Sequence, residues 1–168
     1  EIAQVEAVLK GAARVIAEGL VDLGVLRGKP EDLVARGAHA LFFPHGLGHL
    51  LGLDVHDMED LGDRAGYAAG RLRSSQFGLS FLRLDRDLEP GMVVTIEPGI
   101  YVVPAILEDR EICGPFDADG TLNRSALDQL AGVRGIRIED DVLCTEGAPE
   151  VLTKDIPKTV EEVEAAVG

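Results

Sequence analysis

The sequence predicts an α+β fold, on three observations: a helical periodicity at each end of the chain, two apolar strand patterns in its second half, and no βαβ alternation between them. With 168 residues, 46% of them hydrophobic, the chain can bury one core, and no linker or long repeat divides it, so residues 1–168 read as one unit.

The elements follow in order. Ile2, Val5, Leu9, Ala12, Ile16, Leu20 and Leu23 recur at helical steps, and Gly24 stands where a left-handed residue would close the helix. The pattern opens on Glu1 with no cap before it, which predicts that residues once preceded this start. Pro30 to Arg36 forms a short helix with proline at its first position and acids in its first turn. Phe43 to Asp63 is loop-rich and carries three of the four histidines, with three glycines before Asp54. Asp63 to Asp87 is mixed and takes no assignment. Leu88-Glu89-Pro90-Gly91 is a turn, Met92 to Ile96 a strand stopped by Pro98-Gly99, and Ile100 to Val103 its resumption. Arg134 to Thr145 is the second clear strand. Lys154 to Val167 is a helix in which Thr159 and Glu162 form a capping box and Val160, Val163 and Val167 share a face.

Charge excludes some partners. Sixteen Lys and Arg against thirty Asp and Glu leave a net charge of −14, a field that repels nucleic-acid backbones and anionic lipid. No apolar run reaches the roughly 18 residues of a spanning helix, and the mean hydropathy is +0.11. Two cysteines, Cys113 and Cys144, are too few for a disulfide scaffold or a thiolate metal site. They read as buried thiols in a reducing compartment, hence a cytoplasmic setting.

Chemistry concentrates in three places. The first is Pro44-His45-Gly46-Leu47-Gly48-His49 with Gly52-Leu53-Asp54-Val55-His56-Asp57. A zincin reading fails because no Glu follows His45 and two glycines oppose a helix, whereas extended backbone also puts His45 and His49 on one side. Each histidine alone reads as a hydrogen-bonded, inert residue; three within twelve positions point to a site. Asp54, Asp57, Asp60 and Asp63 recur by threes, which is not calcium-loop spacing, and Glu59, Asp60 and Asp63 read as a solvated acidic turn. The second place is Glu97, at a strand end where alternation puts it on the face of Thr95; taken locally it is an ordinary acidic turn residue. The third is Gly135 to Leu143, where Arg137, Glu139 and Asp141 share a face opposite Ile136 and Ile138, as either a site or a charged stripe turned to solvent. Jointly, one imidazole and two carboxylates make a shell for a hard to borderline divalent ion, Mn or Co first. Two such ions a few ångströms apart activate water for amide hydrolysis, but three ligands are too few for two ions.

His45-Gly-Leu-Gly-His49, Gly52-Leu-Asp-Val-His-Asp57, Leu88-Glu-Pro-Gly-Met92, Thr95-Ile-Glu-Pro-Gly-Ile-Tyr101 and Gly135-Ile-Arg-Ile-Glu-Asp-Asp141 together resemble, in order, the motif series of the Xaa-Pro aminopeptidase and prolidase branch of the pita-bread metallopeptidases. The resemblance implies a pita-bread catalytic domain, two divalent metal ions (usually Mn, with Co or Zn as alternatives), and cleavage of the bond preceding proline in peptide substrates. Carried over by residue, it implies His49, Glu97 and Glu139 as metal ligands, with Glu139 bridging the ions and Glu97 also handling the proton of the attacking water. It implies His45 and His56 as substrate-contacting histidines and Arg137 as the arginine beside the metals.

The family also has two aspartate ligands and a further histidine upstream of these motifs. Nothing in Glu1 to His45 has that pattern, Asp22, Asp32 and His39 included. The resemblance therefore covers only the C-terminal half of the catalytic domain. A fragment of that kind is expected to be inactive alone, to bind one metal or none, and to self-associate through exposed sheet surface. A non-catalytic pita-bread binding module is the alternative, and a creatinase-like hydrolase a third reading; in both, the metal-ligand positions would not be expected to persist, yet all those within this chain are filled.

Overall fold

The computed structural model describes residues 5–130 and 132–168. Helix α1 (Val5–Asp22) buries Leu9, Ala13, Ile16, Ala17 and Leu20 on one face. It ends as its periodicity predicts: Gly24 takes a left-handed φ of 70°, and the Val25 and Leu26 N–H groups close on the Leu20 carbonyl at 2.9 and 3.0 Å. Ile2 and the Val5 side chain lie outside the described residues. Helix α2 (Pro30–Ala35) has proline at its start, Glu31 and Asp32 in its first turn, and Leu33 buried. A 3-10 turn, Ala38–Leu41, follows and is wholly buried.

Strand β1 (Leu50–Leu51), the short helix α3 (Asp63–Gly66), and strands β2 (Val93–Ile96) and β3 (Gly99–Tyr101) come next. Helices α4 (Pro104–Leu107), α5 (Arg110–Ala118) and α6 (Arg124–Leu127) fill a stretch for which no element is expected from the residues alone. The chain closes with β4 (Gly135–Arg137), β5 (Asp140–Leu143), β6 (Glu150–Val151) and α7 (Val160–Val167). The Asp109 carboxylate caps α5 by accepting from the Glu111 and Ile112 N–H groups. The Thr159–Glu162 capping box forms, but α7 begins at Val160, so 154–158 lie outside the helix, and Val160, Val163 and Val167 are exposed.

Two cores result. The larger joins α1, α2, Ala38 to Phe43, and Leu107, Cys113, Phe116, Leu122 and Ala126. The smaller packs Leu84 and Val94 with Leu50, Leu88, Val142 and Cys144 on one face of the sheet. Cys113 is buried and Cys144 only half-buried; both are free thiols.

The four-stranded antiparallel sheet has the order β1-β2-β5-β6, and β3-β4 form a separate pair. The separation is local. Ile96 stands opposite Asp140 in the first and Gly99 opposite Arg137 in the second, the same register, and the Ile138 N–H donates to the Pro98 carbonyl at 3.1 Å between them. Proline has no N–H to return that bond, so regular pairing lapses there. The expected strand Arg134 to Thr145 is thus one arm of a ribbon, interrupted at Ile138 and Glu139, against an arm running from Met92 to Val102.

Candidate metal centre

The interruption is where the acids meet. The Thr95 and Glu97 N–H groups point away from the second arm, to the His49 and Leu47 carbonyls at 3.0 and 2.7 Å. By the register, Glu97 then faces Glu139 as a non-hydrogen-bonded pair, the kind with the closer side chains. His49 reaches the same place because residues 47–49 run beside β2. This approach requires Gly48: a Cβ there would stand 1.8 Å from the Thr95 carbonyl oxygen.

His49 and Glu97 are buried and Glu139 is exposed; their ligand atoms all lie within 4.8 Å of one another, the group of this kind found among the described residues. The His49 N–H donates to Thr95 Oγ1 at 3.0 Å, and the Thr95 hydroxyl donates to Glu97 Oε1 at 3.3 Å. The His49 ring is oriented by Nδ1, which donates to the Leu50 carbonyl at 2.9 Å. In the neutral ring Nε2 then carries a lone pair, and it faces Glu97 Oε1 at 3.5 Å, too far for a strong hydrogen bond. Two buried acceptors turned toward each other, with a second carboxylate beside them, fit a divalent cation held by one nitrogen and two oxygens.

Arg137 supplies the adjacent positive charge. Its Nη1 lies 3.1 Å from Glu97 Oε2 and 3.7 Å from Glu139 Oε2, while Nε donates to the Tyr101 hydroxyl at 2.6 Å. Tyr101 in turn donates to His45 Nε2 at 3.1 Å, since His45 Nδ1 donates to the Gly46 carbonyl at 2.7 Å. Burial is the main cause that pushes the His45 pKa down. The nearby Arg137 and Arg83 charges add to it, and the Gly46 carbonyl and Glu97 oppose it.

His56 sits on an exposed turn with its ring edge-on to His49, centroids 4.4 Å apart. Its Nδ1 is 3.0 Å from Glu59 Oε2, which also takes Arg83 Nη1 at 2.6 Å. A cleft of about 620 Å³ opens on this side, its lining including His45, His49, His56, Phe77, Phe81 and Arg83.

All six sequence candidates therefore converge: His49, Glu97 and Glu139 on one point, Arg137 against both acids, and His45 and His56 at the cleft. His39 belongs to the buried 3-10 turn instead. Asp22 ends α1 and Asp32 lies in α2. The sequence reading gave no role to Thr95, Tyr101, Glu59 or Arg83. The first two were within reach, since Thr95, Glu97 and Tyr101 share one period-two face. Glu59 was read as part of a solvated acidic turn; it is exposed and in addition paired to Arg83 and to the His56 ring, and Asp63 is paired to Arg73 at 2.5 Å. The Asp60 side chain lies outside the described residues.

A sheet ribbon presenting this trio beside a cleft is an arrangement that fits a divalent metal centre. Residues 3–146 match the model of metallopeptidase family M24, and the chain belongs to that family. It is 44% identical over 157 residues to the Xaa-Pro dipeptidase of Homo sapiens, covering 94% of this chain and 30% of that protein. To the Xaa-Pro dipeptidase of Xanthomonas campestris pv. campestris (strain B100) it is 47% identical over 141 residues, 82% of this chain and 30% of that one. Among solved structures it is similar to E. coli aminopeptidase P with the inhibitor Pro-Leu, with a TM-score of 0.66, 37% identity, and coverage of 98% of this chain and 29% of that chain. Proline aminopeptidase P II from Yersinia pestis gives a TM-score of 0.65 at 35% identity, covering 99% and 30%. The fold is thus the mixed helix-and-sheet, pita-bread fold that the motifs implied, and the chain spans about three tenths of the length of these relatives. Family membership implies a divalent metal. No helix among the described residues is long and apolar enough to cross a membrane.

Proposed function

We propose that these residues form part of the active site of a metal-dependent exopeptidase that hydrolyses the bond preceding proline, as an Xaa-Pro aminopeptidase or dipeptidase. The observation that carries this reading is the buried pairing of His49 Nε2 with Glu97 Oε1, two acceptors that a cation reconciles. His49, Glu97 and Glu139 are the ligands in this chain, with Mn the first choice and Co or Zn the alternatives. Divalent ions at such a site supply Lewis-acid polarisation of a carbonyl and lower the pKa of water.

The chain's own groups do the rest. Glu97 is buried and takes the proton of the attacking water, and Arg137 holds that carboxylate in place from outside. His45 and His56 line the cleft and meet the substrate carbonyl. Proline's nitrogen has no hydrogen, so the backbone bond other peptidases use to seat a substrate is missing at this linkage, and side-chain contacts take over. Arg83, which also lines the cleft, is a cation able to meet a peptide carboxylate.

Three ligands do not hold two ions, and the chain spans three tenths of its relatives. In this reading residues 1–168 are one part of a catalytic domain and hydrolyse nothing alone. Ile136 and Ile138, 67% and 44% exposed on the ribbon, support self-association of the isolated chain. The deciding experiment is calorimetric titration with Mn²⁺ of the chain and of Glu139→Ala, with Xaa-Pro hydrolysis assayed in parallel. Binding in the first, lost in the second, is expected; equal binding removes the ligand assignment, and full hydrolysis by the 168 residues removes the partial-domain reading.

A further inference from the structure

Glu59 is exposed and lies three residues beyond His56, yet the backbone turns it back on that histidine. Met58 adopts a φ of 57°, the positive-φ non-glycine residue among those described. The Glu59 N–H donates to the His56 carbonyl at 3.3 Å, and the Leu61 and Gly62 N–H groups close a 3-10 turn on Met58 and Glu59 at 3.0 and 2.8 Å. Left-handed backbone at a side chain without glycine's freedom is costly, and such strain persists where the surrounding structure requires the geometry. Here the result is that one carboxylate oxygen sits 3.0 Å from His56 Nδ1 and 2.6 Å from Arg83 Nη1. Arg83 thus steadies the acid, and the acid steadies the imidazole, whose ring edge rests on His49.

We propose that Glu59 is a positioning residue for His56, an inference that rests on reading His56 as the substrate-side histidine. A carboxylate at Nδ1 requires the proton on that nitrogen. It leaves Nε2 as the nitrogen that takes or returns a proton, and it stops the ring from flipping. Without the acid, a neutral imidazole reverts to its solution preference for the proton on Nε2. Arg83, which also lines the cleft, is tied to the same oxygen, so His56 and Arg83 are held in fixed relation by one side chain.

The test is ¹⁵N spectroscopy of the histidine-labelled, metal-free chain near pH 8, above the ordinary imidazole pKa of about 6.5. In the unaltered chain His56 Nδ1 is the protonated nitrogen. Glu59→Ala moves the proton to Nε2, and Glu59→Gln, whose amide oxygen still accepts, restores it. His56 signals that do not change in Glu59→Ala overturn the proposal, as does failure of Glu59→Gln to rescue. Mn²⁺ titration of the chain and of Glu139→Ala separates the two readings: Mn²⁺ binding that Glu139→Ala leaves unchanged, while His56 responds to Glu59, sinks the metal assignment alone. Mn²⁺ binding lost in Glu139→Ala, with an unresponsive His56, sinks only the role of Glu59.

Discussion

Glu97 and Glu139 stand directly opposite one another, as a non-hydrogen-bonded pair, at the one step of the ribbon where Pro98 interrupts regular pairing. Like charges in that relation oppose folding. Arg137, with Nη1 3.1 Å from one and 3.7 Å from the other, offsets part of the repulsion, but its side chain is 43% exposed and water screens it.

Glu139→Gln is therefore expected to melt at or above the unaltered chain when both are metal-free. Added Mn²⁺ reverses the order: the unaltered chain gains about 2.7 kcal/mol once free ion exceeds its Kd about a hundredfold, and the variant gains much less. Thermal melts with and without Mn²⁺ measure both differences, and equal gains would place Glu139 outside the site.

Tyr101→Phe removes a hydroxyl that accepts from Arg137 Nε and donates to His45 Nε2. Arg137 can turn to water, whereas His45 is half-buried. The expected loss is about 1 kcal/mol, the ordinary net worth of one hydrogen bond, read from urea unfolding. No loss would mean that the bridge does not persist in solution.

Gly48→Ala places a Cβ 1.8 Å from the Thr95 carbonyl oxygen and 2.8 Å from its carbon, and backbone atoms cannot rotate away. Overpacking of this kind costs about 1–3 kcal/mol, and here it pries the His49 segment from β2, so Mn²⁺ affinity falls with stability. Gly11, inside α1 with nothing near its Cβ position, is the control. Gly11→Ala should stabilise by about 0.5–1 kcal/mol.

His39 gives a pH dependence of known sign. Burial pushes its pKa below the ordinary value, with a hydrogen bond to the Leu33 backbone opposing, and its Nδ1 has no partner. Between the unfolded pKa of about 6.5 and the lower folded one, the unfolded chain binds more protons, so stability falls as the pH drops through that window. The slope is at most about 1.4 kcal/mol per pH unit. His39→Leu should flatten the change between pH 7 and pH 5 without abolishing it, because the His45 pKa is displaced the same way. Urea midpoints at the two pH values decide it; an unaltered difference would acquit His39.

The parts of the fold readable in the sequence are those set by local chemistry. Gly24 closes α1, Pro30 opens α2, Thr159 and Glu162 cap α7, and Val93 to Ile96 form a strand. What escaped depends on partners distant in sequence. Helix α5 is nine residues long and carries Pro115 in its interior; its definition comes from the Asp109 cap and from Cys113 and Phe116 entering the core. The ribbon's lapse at Ile138 arises from Pro98 on the opposing arm, which no window around Ile138 contains. At the site, His49, Glu97 and Glu139 stood out as motif members. Glu59 did not, because what distinguishes it is a backbone turn at Met58 and an arginine 24 positions away.

The continuous register of the two ribbon arms separates what can vary from what cannot. The helical excursion joining Val103 to Arg134 contributes to the larger core through Leu107, Cys113, Phe116, Leu122 and Ala126, but it does not set which ribbon residues stand opposite one another, so a tag grafted at an exposed turn there would leave the carboxylates facing. One residue added within either arm would instead turn an acid to the opposite side of the sheet, where it could no longer share an ion with its counterpart.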